Sequence, residues 1–227
     1  LSGQLTWVGP PGIGEPSVIL EHGGYWWLGH ADGLSRTPIG KPSGWRTIDA
    51  VEGVTERVDL LLPLPGGGVV ASLYGSAVHA LDAEGRLLAR WAVGTALEGP
   101  EVESLALDRD GGLWIAHARG LCRIAVPVAD AACVPISAVQ GQRIRALAVL
   151  GAEVLAAGND RLLRVAADGA VHTERRLDML DGAMPHGLHA ASDGRRWLST
   201  SRGLLILDAD GRHRWQAQAD GLPTGEL

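Results

Sequence analysis

The stretch Leu105 to Arg123, LALDRDGGLWIAHARGLCR, is the unit from which the chain is built. It opens on a short apolar run, turns at Gly111-Gly112, sets Trp114 in a second apolar run, and turns again into Gly120-Leu121. The same order returns around Trp27 in Ile19 to Arg36, ILEHGGYWWLGHADGLSR, and around Trp197 in His189 to Leu205, HAASDGRRWLSTSRGLL. In two weaker copies Val70 (VVASLYGSAV) and Leu155 (VLAAGNDRLL) stand where the tryptophan would be. The anchors 27, 70, 114, 155 and 197 lie 43, 44, 41 and 42 residues apart, and self-similarity at one fixed length marks a repeat architecture.

Two more columns keep the same phase. Gly53, Gly99, Gly141, Gly182 and Gly221 each follow Glu, Gln or Asp, and about eight residues before this glycine stand Trp45 and Trp91, with Trp215 nearby and Cys133 in the middle copy. Strands of four to six residues alternate with Gly, Asp and Pro turns, and no segment sustains a helical period, so the chain reads as all-β. Four short strands per unit of this length are what a β-propeller blade requires; a solenoid of shorter turns fits less well. The units are expected near residues 17–50, 58–95, 102–138, 143–178 and 187–218 of one propeller domain spanning 1–227, with the Trp and Leu columns packed between neighbouring blades. QLTWV, residues 4–8, reads as the last strand of a preceding unit, and the final GLPTGEL as the lead into another blade.

Composition excludes several functions. The formal charge of −6, with 20 scattered basic residues, lacks the electrostatic footprint of a nucleic-acid binder. LLLPLPGGGVV, residues 60–70, is broken by two prolines and three glycines, so no run approaches a membrane span. The chain holds no G-x-S-x-G elbow, H-E-x-x-H or C-x-x-C, and Gly66-Gly67-Gly68 lacks the lysine and helix of a phosphate loop. No catalytic residue, metal or cofactor is therefore expected of this segment. Asp108-Arg109-Asp110-Gly111 has half the pattern of a calcium loop without the remaining ligands, and reads as a strand-joining turn.

The pattern D-x-D-G-x-L-W-I-x-x-x-x-G-L of Asp108 to Leu121, repeated in Asp193 to Leu204 and followed by Asp220-Gly-Leu-Pro223, with a further copy in Gly23 to Leu34, resembles the two-component regulator propeller repeat. Three of the five units carry the match, and His30 and His117 stand where that family mostly has the threonine kept at Thr200. The resemblance implies a seven-bladed propeller of which this chain holds about five units; five blades closed by QLTWV pairing with the last unit are the alternative. It further implies a periplasmic or extracytoplasmic sensor region of a membrane-anchored receptor, joined to a histidine kinase or diguanylate cyclase, with a second copy of the chain as a dimer partner. Cys122 and Cys133 lie on strands read as antiparallel neighbours, so a cross-strand disulfide would suit the oxidising compartment that the resemblance also implies. Two buried thiols acting as small hydrophobes are the alternative.

In a propeller the loops leading into the innermost strands gather around the channel on one face. These loops follow the glycine column and supply Glu52, Arg57 and Asp59, then Glu98, Glu101 and Glu103, then Gln140, Arg143 and Arg145, then Asp181, His186 and His189, and finally Asp220. Arg57, Asp59, Glu101, Glu103, Arg143, Arg145, His186 and His189 are the ligand-binding candidates, and their mixture of acids, bases and histidines suits a small polar molecule such as an oligosaccharide. Two other functions compete: a propeller lyase or hydrolase, with His186 and Glu103 as acid and base, and a protein-interaction scaffold of WD40 type, whose Gly-His and Trp-Asp signatures are missing. His30, His117 and Thr200 recur at the end of the second strand, where a turn-capping role is expected.

Overall fold

The computed structural model describes residues 12–41, 43–48, 56–92, 101–125 and 131–216. QLTWV, GLPTGEL, Glu52, Gly53, Glu98, Gly99 and Asp220 to Pro223 lie outside them. The first sheet is a meander in which β1 (Pro16–His22), β2 (Tyr25–His30), β3 (Gly33–Pro38) and β4 (Arg46–Thr47) pair in chain order. The second comprises β5 (Val58–Pro63), β6 (Val69–Leu73), β7 (Ala77–Leu81) and β8 (Leu87–Ala92). The third comprises β9 (Val102–Leu107), β10 (Leu113–His117), β11 (Gly120–Ile124) and β12 (Val134–Pro135). The fourth runs through β13 (Ile144–Leu150), β14 (Glu153–Gly158), β15 (Arg161–Ala166) and β16 (Val171–Arg176), and the fifth through β17 (Pro185–Ala190), β18 (Arg196–Thr200), β19 (Gly203–Leu207) and β20 (His213–Gln216). The first two sheets belong to one compact unit and the last three to a second.

The anchor column makes the core. Trp27 is fully buried with Leu34, Val58, Val69 and Ala71 between the first two sheets. Trp114 fills the same place between the third and fourth, against Leu121, Ile144, Leu147 and Val154. Leu155, the anchor of the fourth sheet, packs with Leu162, Leu198 and Leu205 of the fourth and fifth. Trp197 differs: it is only half-buried, with the Arg195 guanidinium 5.5 Å from its ring.

Small residues set the spacing. The glycine of the Gly-Leu column opens the third strand with φ of +129° at Gly33, +145° at Gly120 and +118° at Gly203, a region that L side chains rarely adopt. At Gly29 the demand is spatial, because an added Cβ would lie 2.5 Å from the carbonyl oxygen of Val58 on the neighbouring sheet. The turn after β6 holds three residues, since Leu73 pairs with Ala77, whereas the turns after β2, β10 and β18 hold two. That insertion accounts for the longest spacing in the repeat.

Cys122 and Cys133 are bonded to each other, with Cα atoms 5.5 Å apart. The bond sits beside a fourth strand of only two residues, so it ties down an edge that two ladder pairs hold weakly. Closing a loop of 11 residues should contribute about 3 kcal/mol through the unfolded chain. Thermal melts with and without dithiothreitol are expected to show that loss on reduction, and coincident melts would refute it.

His79 on β7 is buried, and neither ring nitrogen has a hydrogen-bond partner among the described residues. Burial, helped by the nearby positive charge of Arg90, lowers its pKa to about 4, so the folded chain holds it neutral. Its unfolded value is 6.5. The unfolded chain therefore takes up this proton first, and stability present above pH 6.5 drains away as the pH falls towards 4, by up to about 3 kcal/mol. Urea titrations at pH 7 and pH 4.5 should show the wild type losing more stability than His79→Leu; equal losses would contradict the assignment.

Candidate functional site

The first strand of every sheet carries a β-bulge at the same place. The pairing jumps from Pro16 to Val18, from Val58 to Leu60, from Ser104 to Val102, from Ile144 to Ala146 and from Pro185 to Gly187. The residues left out of the ladders are Ser17, Asp59, Glu103, Arg145 and His186, and all five are polar. A bulge frees one residue from pairing and re-aims its side chain, and bulges concentrate beside functional sites. Four of the five are among the residues picked from the loop positions in the sequence. Ser17 was missed because it precedes the first full apolar run; its hydroxyl donates to the Val58 carbonyl oxygen.

In the unit of sheets three to five, the bulge residues and their neighbours form a charged network. Arg143 donates from Nε to Glu103 Oε1 and from Nη2 to Glu101 Oε2, each at 2.6 Å. Burial works against the Arg143 charge, but Glu103 and Glu101 outweigh it and raise its pKa. Arg145 Nη1 lies 3.8 Å from Glu103 Oε2, while its Nε donates to Asn159 Oδ1 at 2.9 Å and its Nη2 to the Met184 sulfur at 3.4 Å. The network thus runs from β9 through β13 to the residue just before β17. Glu101, Glu103, Arg143 and Arg145 meet as the loop geometry of a propeller implies.

The other candidates of this unit do not join it, and the remaining two lie in the first unit. Arg57 and Asp59 pair with each other in the first unit, at 2.5 Å. His186 follows Met184 by two positions, is exposed, and makes no side-chain hydrogen bond among the described residues. His189 is exposed further along β17, about 10 Å beyond His186 at the usual rise of a strand. Asp181 faces Arg202 at 3.6 Å.

The recurring residue at the end of the second strand caps the tight turn. His30 Nδ1 accepts from the Asp32 N–H at 3.2 Å, His117 Nδ1 from the Arg119 N–H at 3.2 Å, and Thr200 Oγ1 from the Arg202 N–H at 3.1 Å. Burial lowers the His30 pKa despite the opposing charge of Asp32, and the neutral ring has the lone pair that this bond needs. Histidine and threonine are interchangeable here because both present an acceptor to the N–H two residues on.

Asp108 has a similarly structural role. Its Oδ1 accepts from the Asp110 and Gly112 N–H groups, and its Oδ2 from Trp114 Nε1 at 2.9 Å and from Arg123 Nε and Nη2 at 2.9 and 2.7 Å. Both oxygens are spent on protein donors, which makes the sequence a turn rather than half a calcium loop. Among the described residues no group of three or more His, Cys, Asp or Glu could hold a metal ion. The pairing also reveals an arginine column invisible to the apolar pattern: Arg36, Arg123 and Arg164 sit opposite anchors Trp27, Trp114 and Leu155. Two of them lie over the anchor ring, at 5.2 Å for Arg36 and 5.4 Å for Arg123.

No protein-family model and no curated protein matches the chain. Solved structures do. A streptogramin B lyase aligns with a TM-score of 0.71 over 94% of this chain and 72% of its own, at 14% identity. The WD40 β-propeller domain of Doa1 aligns with a TM-score of 0.64 over 85% of this chain and 65% of its own, at 14% identity. The fold is a β-propeller. The extracellular domain of a putative hybrid two-component system from B. thetaiotaomicron aligns over 99% of this chain with a TM-score of 0.69, at 16% identity, and the chain spans 31% of that domain. At these identities the likeness is one of fold. No described helix is long and apolar enough to cross a membrane.

Proposed function

We propose that this propeller is the ligand-sensing part of an extracytoplasmic receptor of the two-component or diguanylate-cyclase kind. It takes a small polar ligand at the bulge residues Glu103, Arg145 and His186 of sheets three to five, and passes the signal to an output domain. The observation that carries the reading is the recurrence of the bulge: five sheets free the same position from pairing and place Ser17, Asp59, Glu103, Arg145 and His186 there. The disulfide supports an oxidising compartment, and the likeness to the extracellular domain of a two-component system supports the receptor context. An acid–base enzyme would need Glu103 free to meet a substrate beside His186. Glu103 instead accepts from Arg143, and this favours binding over chemistry.

Thermal shift against a panel of neutral and charged sugars tests the reading. A ligand at 100 times its Kd should add about 2.7 kcal/mol to the folded state. Absence of a shift with every sugar in the panel would overturn glycan sensing.

A further inference from the structure

Arg145 is built into the network but left short of acceptors. A guanidinium offers five N–H donors in a planar fork. Its Nε is spent on Asn159, its Nη2 reaches only the Met184 thioether, a weak acceptor, and Glu103 Oε2 stands 3.8 Å from Nη1, outside hydrogen-bond length. Its side chain is 14% exposed and its charge is paired with Glu103 only at 3.8 Å, so the Nη edge keeps N–H donors that no carboxylate of the network closes on. Glu103 is not free to close the gap, because its other oxygen accepts from Arg143, which also holds Glu101. The bulge turns Arg145 out of the ladder, and Met184, unbranched and 42% exposed, lies against the Nη edge as a movable cover.

We infer that the Nη edge of Arg145 is a carboxylate-binding fork, and that the ligand of this site carries a carboxylate. The inference rests on the polar-ligand reading above and narrows its chemistry. A carboxylate would sit where Met184 now lies and accept two parallel N–H bonds from the fork. A neutral hydroxyl would leave most of those donors unmet. The carboxylate could belong to a sugar acid or to the C-terminus of an acylated amino acid or peptide, and the two sources are separable by experiment.

Titration calorimetry on the whole chain would compare D-galacturonate with D-galactose, and N-acetyl-L-alanine with N-acetyl-L-alaninamide. One carboxylate should bind about 10- to 100-fold more tightly than its uncharged counterpart, the usual margin for a hydrogen bond to a charged group. Arg145→Gln should abolish that preference. Asn159→Asp, an exposed substitution that gives the fork an internal carboxylate, should weaken it in a chain that melts like the wild type. Equal binding of galactose and galacturonate, unaffected by Arg145→Gln, would overturn the inference and leave the polar-ligand reading standing. Binding of none of the four compounds would count against both.

Discussion

Replacing Asp108 with alanine is expected to cost about 3–5 kcal/mol, the loss typical when one partner of a buried ion pair is removed. The carboxylate is wholly buried and accepts five hydrogen bonds, from two backbone N–H groups, the Trp114 indole, and the Nε and Nη2 groups of Arg123. Without it, Arg123, itself only 15% exposed, keeps its charge with no carboxylate beside it, and the indole N–H loses its acceptor. Asp108→Asn should recover part of the loss, since an amide oxygen can still accept from the turn. The same bonds fix the pH behaviour. Burial alone would raise the Asp108 pKa, but Arg123, Trp114 and Gly112 together hold it below the ordinary carboxylate value. Its contribution is therefore complete above the unfolded value near 4 and is lost as the pH falls below it, later on acidification than the loss at His79. Urea denaturation of the wild type and both variants measures this, and a loss under about 1 kcal/mol for the alanine variant would reduce the contact to an ordinary hydrogen bond.

Trp114→Ala should cost a comparable amount, about 3–5 kcal/mol, for a different reason. The ring is fully buried between the third and fourth sheets, and its removal leaves a cavity lined by Leu121, Ile144, Leu147 and Val154 that strands held in register cannot collapse to fill. Trp27→Ala should behave alike in the first unit, and Trp197→Ala should cost markedly less because that ring is half-exposed. Equal losses at all three positions would mean that the repeat motif, and not burial, sets the energetics.

The fold was legible because a repeat states its own period. Trp27, Trp114 and Trp197 recur with the Gly-Leu pair at a fixed offset, and the glycines at 33, 120 and 203 need a backbone conformation that little else tolerates. The capping role of His30, His117 and Thr200 was legible for the same reason. Part of the candidate site was legible by position, since Glu101 and Arg143 lie just before the first strands of their sheets, and Glu103 and Arg145 near the start of them. The bulges were not legible: one extra residue in a strand changes which partner each residue faces without changing the apolar pattern. The arginines opposite the anchors were missed because a lone charged residue within a short strand looks like part of its solvated face, and only the register sets Arg36 and Arg123 over tryptophan rings. Asp108 was read as turn chemistry, which it performs with Oδ1, while the use of Oδ2 depends on Arg123, 15 residues away.

The most direct test of the account is the thermal-shift panel repeated on Arg143→Gln, which frees both Glu101 and Glu103 from their common partner. The substitution should remove the ligand-induced shift seen with the wild type while lowering the unliganded melting temperature only modestly, because the Glu101 pair is half-exposed and Glu103 keeps the charge of Arg145 at 3.8 Å. A shift that survives intact in Arg143→Gln would place the ligand away from the bulge residues and contradict the account.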